Sequence, residues 1–199
     1  SGKIGKLWDQ HHKNFAKFIK KNCTNQFFEI GSGHFQLFEE ILKSRKNILW
    51  TALEPNPQKI INSNKLKILR KFFTKKTKVF YNQTIVHSHL LEHIYHPNIF
   101  LKNISSKMIK NQIMIFSVPN MYQMIKRGYM NALNFEHTYY ASEKIIDHML
   151  YMNNLKIIDK EYFKKDHSIF YRVKKYYSKK SRTINFYKKN KLLFLNYYK

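Results

Sequence analysis

The chain has 199 residues, of which 37 are lysine or arginine and 12 are aspartate or glutamate, so its formal net charge is +25. This length suits one α/β domain and is short for two, and the charge favours anionic partners such as nucleic acid or phosphorylated small molecules. The single cysteine excludes a disulfide within the chain, and no apolar stretch reaches the roughly 20 residues of a membrane-spanning helix, so we expect a cytoplasmic protein without a membrane segment.

The first half of the chain alternates between helix-like and strand-like patterns. Apolar residues at spacings of three and four predict helices, whereas short apolar runs that end at glycine or a polar turn predict buried strands. The elements expected in chain order are a helix over 3–22, a strand over 27–30, a helix over 35–42, a strand over 48–53, a helix over 58–64 and strands over 66–69 and 84–89.

The second half continues this alternation. The expected elements are a helix that begins over 90–94, a helix over 100–108, a strand over 112–118, a helix over 142–153 and strands over 156–163 and 168–173. Proline cannot donate to a strand ladder, so Pro119 should end the strand before it, and Ser142 is a suitable helix N-cap. Strands that alternate with helices predict an α/β fold with a mostly parallel sheet and helices on both faces.

These patterns divide the chain into three parts. Residues 1–26 form an N-terminal helical segment, residues 27–174 hold the principal domain, and residues 175–199 form a basic, tyrosine-rich helical extension. No helix stop signal closes the last part, so we expect either a peripheral appendage or the start of a further region.

Two of the five glycines in the chain, Gly31 and Gly33, lie together after the first predicted strand. Glycine is needed where the backbone turns sharply and approaches a ligand closely. Glu54 ends the next predicted strand, where a carboxylate can accept hydrogen bonds from two ribose hydroxyls, so the sequence predicts an adenosine-type ligand. Gln36 stands where a dinucleotide-binding turn has its third glycine, and the residues after Gly33 lack the lysine and hydroxyl of a phosphate-binding loop.

Residues 29–33, Glu-Ile-Gly-Ser-Gly, resemble the first motif of the class I S-adenosylmethionine-dependent methyltransferases. Residues 85–93, Ile-Val-His-Ser-His-Leu-Leu-Glu-His, resemble that family's fourth strand and the turn after it, and residues 113–120, Ile-Met-Ile-Phe-Ser-Val-Pro-Asn, resemble its fifth strand. The resemblance covers residues 27–173 in the family's order and implies a Rossmann-like fold with seven strands and S-adenosylmethionine as the cofactor. Phe35 departs from it, because many members have a third glycine at that position.

The resemblance also implies which residues contact the cofactor. The glycine bend would lie beneath its methionine part, and Glu54 would hold its ribose. The expected cofactor-binding residues are Glu29, Gly31, Gly33, Glu54, Pro55, Phe73, His87, Ser88 and His89. Phe72 or Phe73 would stack on the adenine, with core packing as the alternative for either. The lid expected over the cofactor consists of Trp8, His11 and His12.

Histidines near the fourth strand and in later loops are the candidates for the transfer chemistry. A sugar hydroxyl or a carbon acid must lose a proton, which a histidine can accept, whereas a phosphate-type oxygen needs only orientation. The candidates in order of preference are His89, His137 and His167, each with a purely structural histidine as the alternative. Glu136, His137 and Tyr139 are predicted to contact the acceptor, unless their loop only caps the next helix.

Two histidines also allow a metal-binding interpretation. His89 and His93 are four residues apart with Glu92 between them, a spacing used by metal ligands on a helix. No helix is predicted to span both residues, and methyl transfer needs no metal. The sequence therefore predicts no metal site.

The acceptor is predicted to be a small anionic molecule. The Asn-Pro-Pro-Tyr type motif that typically serves methylation of base amino groups is absent after the fourth predicted strand, which favours an oxygen acceptor and, less strongly, a carbon acceptor. Residues 87–93, 134–138 and 166–171 resemble bacterial small-molecule methyltransferases encoded with surface-polysaccharide genes, including Campylobacter-type capsule enzymes that make a methylated phosphoramidate. The resemblance implies a phosphorylated or sugar-linked acceptor in surface polysaccharide biosynthesis.

Two alternative functions remain open at this point. An RNA methyltransferase would use the charge directly, through the basic cluster of Arg70, Lys71, Lys75, Lys76 and Lys78. A scaffold that binds the cofactor without catalysis would keep the same fold. The oligomeric state is not predicted.

Overall fold

The computed structural model describes residues 5–176, 185 and 187–197, with a seven-stranded sheet at its centre. The strands are β1 (Gln26–Ile30), β2 (Leu49–Leu53), β3 (Leu66–Leu69), β4 (Gln83–Ser88), β5 (Ile113–Pro119), β6 (Leu155–Phe163) and β7 (Ser168–Lys175). Their order is β3-β2-β1-β4-β5-β7-β6. β7 pairs antiparallel with both of its neighbours and the other pairs are parallel, so the predicted Rossmann-like, mostly parallel sheet is confirmed.

Helices cover both faces of this sheet. They are α1 (Gly5–Lys20), α2 (Gln36–Leu42), α3 (Pro97–Lys107), α4 (Met121–Lys126), α5 (Glu143–Met152) and α6 (Tyr187–Tyr197). Short 3-10 turns lie at Leu91–His93 and Met130–Ala132. Successive residues of a strand face opposite sides, so Phe27 packs in the core with α1 and α2, whereas Phe28 packs in the core with α3 and α5.

The N-terminal helix α1 shares the core of the principal domain. Phe15 and Phe18 are completely buried, and the Phe15 ring centre lies 4.9 Å from that of Phe170 in β7. Arg172 of β7 joins the end of α1 to the sheet, because its guanidinium carbon lies 4.4 Å from the Phe18 ring centre and its side chain donates to the Phe18 carbonyl. The N-terminal helical segment expected outside the principal domain thus contributes to its core, and the covering of a cofactor by Trp8, His11 and His12 stays a prediction.

The prediction of a helix over residues 58–64 is wrong, because this segment is irregular. The Gln58 backbone N–H donates to the Gly33 carbonyl at 2.8 Å, and the Gln58 side-chain amide donates to the Asn56 carbonyl at 3.0 Å. The segment therefore uses its polar groups to hold the loop after β1 instead of forming helical hydrogen bonds.

Two short elements were not predicted, the helix α4 and the turn Met130–Ala132. Met121 and Ile125 of α4 are four residues apart and both buried, but six residues are too few for a clear helical period. Ser142 precedes α5 as expected, yet its side chain makes no capping hydrogen bond.

The C-terminal extension predicted over 175–199 begins as a strand. Lys175 is the last residue of β7, and its Nζ donates to the Ser105 carbonyl at 2.7 Å. α6 packs on α4 through Leu193 and Phe194.

Residues 177–184, 186, 198 and 199 of this extension, and residues 1–4 of the N-terminal segment, lie outside the described residues. Within the described part of the chain, no helix has the length and apolar character needed to cross a membrane.

Candidate functional site

The backbone turns sharply where β1 ends at the carboxyl edge of the sheet. Gly31 has a φ of +76°, and a β-carbon at this position would lie 2.9 Å from Leu90 Cδ1. The left-handed backbone therefore favours glycine there, and a β-carbon would also oblige the Leu90 side chain to move. At Gly33 a β-carbon would meet Gln58 Cγ at 3.8 Å, an ordinary contact, so the turn itself favours glycine only at the first of the two predicted positions.

A cavity of about 420 Å³ opens beside this bend. It lies at the carboxyl ends of β1, β2 and β4, where the strand order runs from β1 to β2 on one side and to β4 on the other. Ligands of open α/β sheets bind at such switch points. The predicted site residues that line the cavity are Glu29, Gly31, Gly33, Glu54, Ser88, His89 and Glu136. Trp8 and His12 of α1 line it as well.

Glu29 of β1 is buried and still lines the cavity. Its Oε2 accepts a 2.9 Å hydrogen bond from Trp50 Nε1 of β2. Burial raises the pKa of the Glu29 carboxyl to about 7, because surroundings of low polarity disfavour the charged form. A cationic ligand group next to this carboxyl would favour its ionised form, so the position suits an ammonium.

Glu54 lies directly after β2, one strand away from Glu29. Its backbone N–H donates to the Leu69 carbonyl of β3 at 3.0 Å, and its Oε1 accepts a 2.8 Å hydrogen bond from the Asn56 backbone N–H. These two bonds hold the backbone and the carboxylate in place. A carboxylate has lone pairs on both oxygens, so Glu54 can accept further hydrogen bonds from a pair of hydroxyls.

His89 follows β4 with a left-handed backbone, at a φ of 47°. Its Nε2 lies 2.9 Å from Ser168 Oγ, and its Nδ1 lies 3.0 Å from Glu92 Oε1. The contact with Glu92 is close but poorly aligned, since neither carboxylate oxygen has a hydrogen bond of regular geometry. Burial lowers the pKa of His89 well below its usual value, so the ring is neutral at pH 7.

His167 lies behind His89 rather than in the cavity lining. Its Nδ1 is 2.6 Å from Oγ of the same Ser168, so one hydroxyl joins the two rings. The Trp8 ring centre is 4.8 Å from that of His89 and 5.2 Å from that of His167. His11 is completely buried, with its ring centre 4.9 Å from that of His89. The structure thus brings α1, the end of β4 and the start of β7 together at one edge of the cavity.

Glu92, His93 and His137 form a second cluster beside the cavity. One nitrogen or oxygen atom from each of the three side chains lies within 4.8 Å of the other two. His93 lines the cavity, whereas Glu92 is buried, and burial raises the pKa of the Glu92 carboxyl to about 7. Two imidazoles and one carboxylate are a donor set that can hold a metal ion.

Several predicted site residues lie outside the lining of the cavity. They are Pro55, Phe73, His87, His137, Tyr139 and His167. His87 faces the opposite side of β4, where its ring stacks on Phe116 with centres 4.8 Å apart and burial lowers its pKa to about 3. Phe73 and Tyr139 pack against the core of α3 and α5, and Phe72 is 76% exposed. Phe73 therefore takes the core-packing alternative and His87 faces away from the cavity, whereas stacking of Phe72 on adenine stays a prediction.

The alternation of side chains along β4 explains why His87 does not reach the cavity. Ile85 belongs to the core of α3 and α5, whereas Val86 belongs to the core of α1 and α2. Because side chains repeat every two residues, His87 faces the same side as Ile85, and Ser88 faces the same side as Val86. The alternation of side chains along this strand therefore already predicts that Ser88 and His87 face opposite sides of the sheet.

Sequence reasoning missed lining residues that flank the predicted motif. They are Ser32, His34, Phe35, Gln36, Leu37, Asn56, Gln58 and Leu90. Most lie within a few residues of Gly33 or Glu54, so proximity in sequence was the available signal. Leu90 directly follows the predicted site residue His89, but its approach to Gly31 depends on the folded sheet.

No family model and no curated protein matches this chain. Among solved structures, magnesium protoporphyrin IX methyltransferase (ChlM) from Synechocystis PCC 6803 with bound SAH aligns with a TM-score of 0.63 and 11% identity, over 88% of this chain and 90% of that one. The N-methyltransferase NodS from Bradyrhizobium japonicum WM9 in complex with S-adenosyl-L-homocysteine has a TM-score of 0.62 and 10% identity, over 87% and 89%. The mitomycin 7-O-methyltransferase MmcR has a TM-score of 0.69 and 14% identity, over 87% of this chain and 55% of its own.

At identities of 10 to 14% this likeness shows the fold alone. Any reaction at the cavity depends on the residues of this chain. The alignments cover 87 to 88% of the chain, so the likeness extends well beyond the glycine motif. The chain therefore has the Rossmann-like fold of class I S-adenosylmethionine-dependent methyltransferases.

Proposed function

We propose that this protein is a methyltransferase that binds S-adenosylmethionine in the cavity beside Gly31. One observation carries the proposal: the bend at Gly31 and the carboxylates of Glu29 and Glu54 line one cavity at the switch point of the sheet. Solved structures of the same fold that contain SAH support this assignment of the ligand.

The two carboxylates have complementary parts in this proposal. Glu54 would accept hydrogen bonds from the ribose hydroxyls, and Glu29 would pair with the ammonium of the methionine part. When bound, the cofactor supplies an electrophilic methyl group on a sulfonium. The task of the chain is then to hold an acceptor atom in line with that methyl group and to exclude water.

His89 is proposed to position the acceptor. Its ring lines the cavity and is neutral at pH 7, while Ser168 and Glu92 lie against its two nitrogens and fix its orientation. His167 acts on His89 through the shared Ser168 hydroxyl, so we assign His167 a positioning role. Glu136 lines the cavity close to these groups and is the proposed acceptor contact.

The acceptor is proposed to be an anionic oxygen of a small phosphorylated or sugar-linked molecule in surface polysaccharide biosynthesis. The net charge of +25 supports an anionic acceptor. Ser168 and Glu92 lie against the two ring nitrogens of His89, so the ring has no free nitrogen to take a proton, which favours an acceptor that needs only orientation. Neighbours in fold include an O-methyltransferase and an N-methyltransferase, so the choice of oxygen rests on the residues of this chain. A cytoplasmic location belongs to the same proposal.

One surface feature favours RNA as a second candidate acceptor. The basic cluster named above follows β3 and is exposed, and the exposed aromatic rings of Phe72, Phe80 and Tyr81 lie in the same stretch of chain. Exposed aromatic and basic side chains together are typical of single-stranded nucleic-acid binding.

Cofactor binding is tested by calorimetric titration of the protein with S-adenosylhomocysteine. We expect one molecule to bind per chain, and Glu54→Gln to weaken binding by about tenfold to a hundredfold because charge-assisted hydrogen bonds to the ribose are lost. Glu161→Gln is the matched control, since Glu161 pairs with Lys21 on the surface away from the cavity, and it should leave the affinity unchanged. Equal affinities for the two variants would contradict the assignment of Glu54.

The buried Glu29 predicts opposite effects of one substitution on stability and on binding. Because its pKa rises from 4.5 to about 7 on folding, the folded state holds the extra proton between these values, and stability is lost as the pH rises through that window. Glu29→Gln should therefore raise the free energy of unfolding at pH 8 by on the order of 3 kcal/mol, with little change at pH 4.5. Urea denaturation at the two pH values measures this difference.

The same Glu29→Gln variant should bind S-adenosylhomocysteine at least about tenfold more weakly at pH 8, because the ammonium loses its partner. For the wild type, affinity should fall as the pH drops below about 7, where Glu29 becomes protonated. If Glu29→Gln is less stable than the wild type at pH 8 and binds S-adenosylhomocysteine with the same affinity, the role given to this carboxyl is refuted.

The acceptor class is tested by transfer of labelled methyl from S-adenosylmethionine to nucleotide-linked phosphoramidates and sugar phosphates in parallel with total RNA. We expect label in the small molecules and none in RNA, because the cavity lining offers groups that orient a single anionic oxygen. Label in RNA alone, abolished by replacing Lys75, Lys76 and Lys78 with alanine, would move the assignment to the second candidate.

A further inference from the structure

Glu92 is a buried carboxylate whose contact with His89 Nδ1, at 3.0 Å, is poorly aligned. Its side chain is 4% exposed, and among the described residues neither of its oxygens accepts a hydrogen bond of regular geometry. A carboxylate in such surroundings costs several kcal/mol unless a cation or hydrogen-bond donors compensate it. A group that the protein binds from outside would supply this compensation.

His93 presents a free nitrogen next to Glu92. Its Nδ1 lies 2.9 Å from the Glu136 carbonyl oxygen, which can only accept, so Nδ1 carries the proton. The Nε2 lone pair is then available, and the Glu136 carbonyl fixes the ring in the way that outer hydrogen bonds fix metal-bound histidines. His137 adds another donor, because its Nδ1 is buried and has no hydrogen-bond partner among the described residues.

The backbone holds the two halves of this cluster together. Glu92 and His93 belong to the short turn Leu91–His93, and the Glu92 carbonyl accepts hydrogen bonds from the backbone N–H groups of Thr138 at 2.9 Å and Tyr139 at 3.2 Å. The loop that contains His137 is thereby fixed against the turn, with the His93 and His137 ring centres 5.2 Å apart. These three side chains are therefore brought together by main-chain bonds rather than by chance proximity.

We propose that Glu92, His93 and His137 bind one divalent ion of the first transition row at the edge of the cavity. The three ligand atoms lie within 4.8 Å of one another, and ligands at about 2.0–2.2 Å from one ion are roughly 3–4 Å apart, so small side-chain rotations close the site. A carboxylate with two imidazoles favours ions such as Zn²⁺, Co²⁺ or Mn²⁺ over Mg²⁺, which prefers oxygen ligands.

The position of the site indicates what the ion does. Three protein ligands leave coordination positions open, and His93 faces the cavity together with His89 and Glu136. An anionic oxygen of the acceptor can take an open position and be held there toward the cofactor. This role of the ion depends on the proposed function, whereas binding of the ion does not.

The site is tested with the full-length protein, freed of any histidine tag and of metal, by titration with Co²⁺ followed through visible absorption. We expect one equivalent to bind with the spectrum of a nitrogen and oxygen ligand set, displaced by Zn²⁺ and not by millimolar Mg²⁺. Glu92→Gln and His137→Gln should each weaken Co²⁺ binding at least about tenfold. His96→Gln is the matched control, because His96 is exposed three residues from His93, and it should bind Co²⁺ like the wild type.

Circular dichroism of each variant shows whether it folds. If Glu92→Gln does not fold, His137→Gln still tests the site, because His137 is only half-buried. Stoichiometric Co²⁺ binding that Glu92→Gln and His137→Gln both retain, or no binding by the folded wild type, would overturn the proposal. Parallel calorimetry with S-adenosylhomocysteine in metal-free buffer separates the two claims. Metal binding without cofactor binding would refute the methyltransferase assignment and leave the metal site standing, and the reverse would refute the metal site alone.

Discussion

The left-handed bend at Gly31 is the constraint on which the rest of the site depends. The bend brings the end of β1 against Leu90, just after β4, so closely that a β-carbon would lie 2.9 Å from the leucine side chain. The Gly31 N–H also donates to the Leu53 carbonyl at 2.9 Å, which ties β1 to β2 at the same level. Three neighbouring strands therefore end together, and the cavity opens between them.

Buried ionisable side chains are concentrated around this cavity at a cost in stability. Glu29 and Glu92 are buried carboxyls with raised pKa values, and burial lowers the pKa of His11 and His89 well below its usual value. A protein selected for stability alone would place apolar side chains at such positions. Their presence on separate elements, all directed to one edge of the sheet, is explained more simply by ligand binding than by packing.

Much of the fold follows from local patterns in the sequence. Seven short apolar runs, separated by helical periods and turn residues, are sufficient to predict the sheet, and Gly31 and Glu54 locate its ligand-binding edge. The segment after Glu54 could not be predicted in this way, because the Gln58 backbone N–H donates to the Gly33 carbonyl, a contact that exists only in the folded chain.

The residues of the candidate site could be predicted where they are close in sequence. They could not be predicted where the site joins residues that are far apart in sequence. Glu54 follows from the end of a predicted strand, and Glu29, Ser88 and His89 follow from the resemblance to the methyltransferase motifs. His87 could have been excluded by the alternation along β4. The approach of His137 to Glu92 depends on main-chain hydrogen bonds between residues more than 40 positions apart, for which a single sequence carries no signal.

Binding of the cofactor at the Gly31 bend is tested most directly by a crystal structure of the protein grown with S-adenosylhomocysteine. We expect the ribose hydroxyls within hydrogen-bonding distance of the Glu54 carboxylate, the amino group of the methionine part beside Glu29, and the sulfur facing His89. A ligand bound elsewhere, or one in this cavity whose ribose makes no contact with Glu54, would refute the proposed cofactor site.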